Sequence, residues 1–534
     1  MHGKGIEMRR NQHKDIISVL IKIAFAMIFL FIWGILIFYK NTLSPRFIIP
    51  NWCIFVVVIL VTVISMNWLP FKNRKNKTWN EKLCLLAASV FLLGLELFIS
   101  WNIIFRTSWD PGAVWYGSHY VALNDINGIN TMSEYFSIYP NNLLLVFLYS
   151  SLLKLNLLGG EIISNGILLL VMFQCVILTL TGVLVFWCAK HYVSTKAAWS
   201  VYFLYAIMAG LSGWMVIPYS DGTGIIFSVC LLALYLKIKE VDKVGKYYIL
   251  LFIMISMGVI GYKIKPTTVI ILIAIVIVEF INWMQAGIRE KQFIISKKIT
   301  CTIFISLAAF ILTLQGCSIL IDSMRFHIDP EKELGWQHYL MLGVNTKTSG
   351  GFSEEDLVFS SGFDDKNSKK VQELKVFKER MKEMEIRGYW ELTLRKAARS
   401  YLNGTFGWGG GNSFYTEIYP ERSNPFCLLL RSWYYDNEEG TLYQYHAFIR
   451  QILWFFILAM IPFVIMIKRQ YSVAEKVLMV SVIGLALYLQ LFESHSRYLF
   501  VFIPMFCILA MQGYETLAEI VRGKLKKHEN INAG

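Results

Sequence analysis

One carboxylate in this sequence is better placed for chemistry than any other: Asp110, in the run SWDPGAVW just beyond an apolar stretch. Pro111 and Gly112 fix a turn after it, and a turn at the end of an apolar run aims the side chain along a surface. A carboxylate held there can serve as general base towards a hydroxyl or an amine. The competing role is structural, because Asp followed by Pro is a common helix start, which makes Asp110 an N-cap candidate. The surrounding stretch, 106–142, also holds His119, Asp125, Glu134 and the aromatics Trp115, Tyr116 and Tyr120. Asp125 and Glu134 are candidates for acceptor or metal binding, against a reading as solvated loop acids. His119 reads first as a hydrogen-bonded interfacial histidine and second as a substrate contact.

The elements that must position these residues are apolar. Of 534 residues, 56% are hydrophobic and only 16% charged, with a mean hydropathy of +0.50. Runs of about 17–25 apolar residues, enough for one bilayer crossing, recur from end to end. The fold class is therefore an all-α polytopic membrane protein. The first run, 16–39, is too long for a signal-peptide core and reads as a retained span. The net charge of +14 collects in short connections around Lys14, Lys75, Lys243, Lys297, Arg469 and Lys526, the positive-inside pattern that orients helices. No basic-aromatic module accompanies it, so no nucleic-acid partner is expected. The nine cysteines are scattered without a C-x-x-C pair, so no zinc or redox site is indicated.

With basic connections cytoplasmic, spans at 16–39, 48–69 and 83–105 put the 106–142 loop outside. Between 143 and 190 two apolar blocks break the parity: one block must be re-entrant, or the second must be two short helices. Spans at 198–217, 223–238, 247–262, 267–284 and 299–321 then lead to the one long hydrophilic region, 322–446. Three more, at 447–467, 475–492 and 498–514, bring a basic tail back inside. The total is 12 or 14, with both termini cytoplasmic. Within 322–446, charge and apolar spacing over 366–399 predict an amphipathic helix, and GTFGWGGG at 404–411 reads as a flexible loop. The domains are a tail with two spans (1–82), a membrane module (83–321) with catalytic loop 106–142, the extracytoplasmic region (322–446), and C-terminal spans with a tail (447–534).

Lys263, Lys265 and Arg497 stand on the same outer face as the loop, where orientation does not favour positive charge. Snorkelling to headgroups is one explanation; a phosphate clamp is the other, with Arg a bidentate donor and Lys a point charge. Asp221, in PYSDG, is a helix cap or a member of the same cavity. Glu96, inside the third span, must face the bundle interior.

In their order along the chain, SWDPGAVW, YPNN, PYSD at 218–221, GYKIKPT at 261–267 and SRYLFVFIP at 496–504 resemble the GT-C glycosyltransferases. These integral membrane enzymes include protein O-mannosyltransferases and the aminoarabinose transferases of lipid A. The resemblance covers about 83–512 and is most like Gram-positive bacterial members. It departs at Asp110-Pro111, where the O-mannosyltransferase loop has an Asp-Glu pair. A divalent metal is a candidate cofactor, and no metal ligands are assigned. The resemblance implies a GT-C-like fold in the plasma membrane with its active site on the extracytoplasmic face. It implies a polyprenyl-phosphate sugar as donor, with Asp110 as inverting base and Lys265 and Arg497 on the phosphate. Asp125, His119, Asp221 and Tyr116 are further substrate-binding candidates. The acceptor is an envelope glycan, lipid or protein, and membrane lipid surrounds the spans. A transporter or flippase of lipid-linked glycans, and a glycan polymerase or ligase, are the alternatives.

Overall fold

The computed structural model describes residues 16–39, 49–68, 80–290, 296–409, 417–418, 424–435, 442–466 and 471–532. The basic clusters at 9–14, 72–77 and 468–469 and the end of the 404–411 loop lie outside these. Helices α1 (Ile16–Phe38), α2 (Asn51–Trp68) and α3 (Glu81–Ile103) open the chain. The Asn80 side chain starts α3 by accepting from the Lys82 amide, satisfying one of the donors a helix leaves open. The polar loop that follows folds into α4 (Trp109–Leu123), α5 (Ile126–Ile138) and α6 (Leu143–Leu158).

Next comes α7 (Gly166–Ala189), antiparallel to α3. The ladder between them fixes its direction: Ser100 meets Cys175 at 3.5 Å, Thr179 donates to Glu96 at 2.9 Å, and Lys190 reaches Glu81 at 2.5 Å. The start of α7 is thus level with the end of α3, on the side of Asp110. Helix α6 ends only seven residues before α7, after Asn156 has closed a turn onto Ile163, and its Leu153 packs at Gly166. Seven extended residues span at most about 25 Å, less than the roughly 30 Å of a hydrocarbon core. Helix α6 therefore starts and ends on one face. Its apolar composition reflects burial in the protein instead of a crossing, which resolves the parity of this part of the sequence.

The chain continues through α8 (Thr195–Tyr205), extended by a π turn at Ala206–Gly210, then α9 (Ser220–Lys239), α10 (Val244–Ile264), α11 (Val269–Glu290) and α12 (Lys297–Asp322). Outside the bundle lie α13 (Trp336–Gly343), α14 (Glu354–Ser361), α15 (Lys366–Tyr401) and α16 (Pro425–Tyr434). The spacing-predicted helix of 366–399 corresponds to α15, which breaks at Glu385. The last three are α17 (Tyr443–Met460), α18 (Val473–Leu491), started by a Ser472–Glu475 capping box, and α19 (Ile503–Asn532). Among the described residues, eleven helices are long and apolar enough to cross a membrane. Removing α6 and adding α2 and the extended α8 makes twelve crossings, an even number. The only strands among the described residues are Phe105–Arg106 (β1) and Glu417–Ile418 (β2), an antiparallel pair.

The glycine-rich run, expected to be a flexible loop, packs into the core where it is described. Phe406 is fully buried and Trp408 nearly so, because Trp408 donates to the Tyr434 carbonyl and its ring meets Trp214 and Phe105. Its glycines at 407 and 409 have positive φ, conformations that let the backbone fold tightly between these rings.

Candidate active site

Asp110 lies in the first turn of α4, but it does not cap that helix. Ser108 holds the cap position, and Trp109 between them takes φ = 51°, an uncommon value for a bulky residue. That backbone turn swings the carboxylate towards α5. Tyr135 donates to Oδ1 at 2.7 Å, and the Tyr219 hydroxyl lies 3.2 Å from Oδ2. Asn142 ties the two phenols together, donating to Tyr135 at 3.1 Å and receiving Tyr219 at 3.3 Å. Burial and the adjacent Asp110 push the Tyr135 phenol well above its ordinary value, and burial raises Tyr139 to about 12. Both rings therefore remain protonated donors at any physiological pH.

Behind Tyr219, a cluster of charge closes the site. Asp221 projects inward with its side chain 2% exposed, 2.5 Å from Lys265 Nζ and 3.4 Å from Arg497 Nε. It is not a helix cap: Tyr219 precedes α9, and the Asp221 carboxylate is committed to two cations. The Arg497 guanidinium is ringed by aromatic faces, with Trp109 at 4.9 Å, Trp214 at 5.6 Å and Tyr219 at 5.7 Å. Lys265 sits 5.0 Å from the ring of Tyr498. Such rings favour a cation without hydrating it. Two cations against one carboxylate leave the cluster one positive charge in excess, a few ångströms across Tyr219 from Asp110.

The loop 492–495 completes the wall. Glu493 accepts from Tyr498 at 2.7 Å, and burial raises its carboxyl above the usual range. His495 accepts the Arg497 amide at Nδ1, 3.0 Å away; burial, then Arg497, holds its imidazole down to about 3, so it stays neutral.

Two buried side chains hold these segments in place. Gln174 of α7 donates to the carbonyls of Trp214, Met215 and Ile217 at 3.0, 3.0 and 2.6 Å and accepts from the Tyr219 amide at 3.3 Å. It thereby shapes the non-helical stretch that delivers Trp214, Tyr219 and Asp221. Gly222 permits the approach, since a Cβ there would meet the Gln174 amide at 2.3 Å. From outside the bundle, Lys396 of α15 donates to Gly343, Gln490 and Phe492 carbonyls at 2.7, 2.7 and 2.8 Å, while Arg399 reaches the Ser494 carbonyl at 3.0 Å. Deep in the bundle, Glu96 is fully buried and faces inward as its cost requires.

Asp110, Asp221, Lys265 and Arg497 thus come together, and the remaining sequence candidates do not join them. Asp125 caps α5, accepting from the Asn127 and Gly128 amides at 3.1 Å, so its oxygens are used by the backbone. His119 stacks on Trp115 and Tyr116 on Tyr120. Nine residues on from Asp110, at about 100° each, put His119 on the opposite face of α4. Glu134 pairs with Lys332 at the surface. The donor set does not fit a divalent cation: the Asp221 oxygens already face two cations, and no group of three metal-ligating side chains converges among the described residues.

A family model described as "Conserved hypothetical integral membrane protein" matches residues 11–517. No curated protein matches the chain in sequence. Among solved structures it is similar to the archaeal oligosaccharyltransferase AglB from Archaeoglobus fulgidus in complex with an inhibitory peptide and a dolichol-phosphate. Identity is 14% and the TM-score 0.41, covering 86% of this chain and 52% of that one. A second is ArnT from Cupriavidus metallidurans bound to undecaprenyl phosphate, with 12% identity, a TM-score of 0.31 and coverage of 83% and 79%. The chain spans about half the length of the oligosaccharyltransferase.

Proposed function

This chain belongs to the conserved hypothetical integral membrane protein family, and we propose that it is a membrane glycosyltransferase that moves a sugar from a polyprenyl-phosphate donor to an envelope acceptor on the extracytoplasmic face. The observation that carries this reading is the pairing of one oriented carboxylate with a cationic cluster: Asp110 on two phenols, beside Asp221 with Lys265 and Arg497. In the proposed step, Asp110 takes the proton of an acceptor hydroxyl as that oxygen attacks the anomeric carbon, with inversion. The bond from the anomeric carbon to the phosphate oxygen breaks. The departing lipid phosphate carries its negative charge to Lys265 and Arg497, where fixed positive charge stabilises it as it develops. Trp109 beside Arg497 offers a flat apolar face to the sugar ring. The basic connections support this orientation: Lys237 and Lys239, at the far end of α9, lie opposite the site.

A transporter reading expects ionisable groups near mid-membrane. Here the acids and cations of the site gather where α4, α9 and the α10–α11 turn meet at one face, and Glu96, deeper in the bundle, stands by itself on Thr179, which favours an enzyme. Purified protein supplied with radiolabelled polyprenyl-phosphate sugars and membrane acceptors tests the assignment. Transfer by the native chain and none by Asp110→Asn is expected; equal transfer by both would sink the role of Asp110.

A further inference from the structure

On the same side of the bundle as Asp110, a cavity of about 310 Å³ opens between the turn after α13 and the helices α14 and α15. That volume is at the low end of the roughly 300–1,000 Å³ of small-molecule sites. One wall is held by a hydrogen-bonded network. Arg380 grips both oxygens of Asp356, at 2.9 and 2.5 Å, and the Met341 carbonyl at 3.0 Å. Asn345 donates to Asp356 at 2.8 Å and accepts from the Lys347 amide at 3.0 Å. Along one edge, α15 breaks at Glu385, with φ = 53° and ψ = −172°. Only glycine adopts that region comfortably, and other residues held there cost on the order of 1–3 kcal/mol and cluster at functional sites. The break immediately follows Glu383 and Met384, both of which line the cavity.

The lining selects a chemical class. Lys347 pairs with Glu355 at 3.0 Å and Arg380 with Asp356, so both cations are matched, and Glu383 adds a further acceptor to the lining. A phosphate therefore finds no cation that a carboxylate has not already matched. The lining combines donors (Thr346, Lys347, Arg380) and acceptors (Thr346, Glu355, Glu383) with the apolar Val344 and Met384, a mix suited to a neutral ring whose hydroxyls both donate and accept. The floor also leads to the site: Gly350 donates to the Asn345 carbonyl at 2.8 Å and accepts from the Ser494 amide at 2.7 Å. Ser494 lies between Glu493 and His495.

We propose that this cavity binds an uncharged sugar unit of the acceptor, which makes the acceptor a glycan; the word acceptor rests on the glycosyl-transfer reading, whereas sugar binding does not. The test uses full-length protein in a sugar-free detergent, titrated with methyl glycosides of glucose, galactose, mannose and N-acetylglucosamine and followed by saturation-transfer NMR. At least one glycoside binds the native chain and Asp110→Asn equally. Its affinity falls tenfold or more in Thr346→Trp, which fills the cavity from an exposed position, and in Glu383→Ala. Binding of none of the four, or undiminished binding in Thr346→Trp, overturns the proposal. If sugar binds but the native chain transfers from no polyprenyl-phosphate donor, the transfer reading fails and the sugar site stands.

Discussion

The Tyr135 hydroxyl donates to Asp110 at 2.7 Å while accepting from the Asn142 amide at 3.1 Å, so one phenol orients the carboxylate and is itself oriented. Removing the base and removing its support should differ in size. Asp110→Asn lowers the transfer rate by at least about a hundredfold, the low end of general-base catalysis. Tyr135→Phe lowers it by about tenfold, in line with the ~1.5 kcal/mol lower bound for a hydrogen bond to a charged group. Rates of radiolabel transfer, with melting curves to show that both variants fold, measure the gap. Equal losses would mean that Tyr135 acts in the reaction itself.

Asp221 holds two cations together, and the consequence is non-additive. Breaking a buried pair by removing one partner costs about 3–5 kcal/mol. Asp221→Asn leaves Lys265 and Arg497 repelling one another; Lys265→Met leaves Asp221 with a single partner. The double variant removes one charge of each sign and leaves Arg497 without a like-charged neighbour. Its loss of stability should be well below the sum of the two single losses, as residues sharing a network show. Additive losses would show that the three side chains do not interact as the 2.5 and 3.4 Å separations indicate.

How much of this was legible in the sequence depended on which property carried each feature. Hydropathy gave the spans and the helical class, because lipid imposes one pattern on every crossing. It left the 143–190 blocks undecided, because α6 packs against α4 and α12 on one face and composition alone does not separate burial in protein from burial in lipid. Asp110, Lys265 and Arg497 stood out because charge at an apolar boundary is expensive and therefore visible. Asp125 was the weaker candidate beside Asp110, and what separates them is distant in the chain: one caps a helix, and the other meets phenols 25 and 109 residues away. Nothing in the sequence singled out Tyr135 or Tyr219 as partners of Asp110, for the same reason. Gln174 left one signal that could have been weighed, a lone amide within an otherwise apolar helix.

That amide yields the third prediction. Gln174→Leu removes the donor shared by three carbonyls, and each buried group left without a partner costs ~1–3 kcal/mol. A loss of several kcal/mol in stability is expected, together with loss of transfer as Tyr219 and Asp221 shift. Gly222→Ala, which drives a methyl into the same amide, should reproduce the effect in weaker form. Thermal midpoints and transfer rates of the two variants check this. A Gln174→Leu protein with native stability would remove Gln174 from its positioning role.

Lys396 gives the protein a stability that depends on pH, with a definite sign. Burial draws its ammonium down to about 7, against ~10.4 for lysine in an unfolded chain. Below pH 7 both states carry the proton, and the cost of burying the charge is present in full. Between about pH 7 and 10 the unfolded chain binds more protons than the folded one, so stability rises with pH, by at most ~1.4 kcal/mol per unit. In Lys396→Met this contribution to the slope disappears. Denaturation midpoints of both proteins from pH 6 to 10 isolate it as their difference, which should be flat below pH 7 and should then shift in favour of the native chain. A difference that does not change across the range would mean that the three carbonyls of Gly343, Gln490 and Phe492 hold the ammonium charged against its burial.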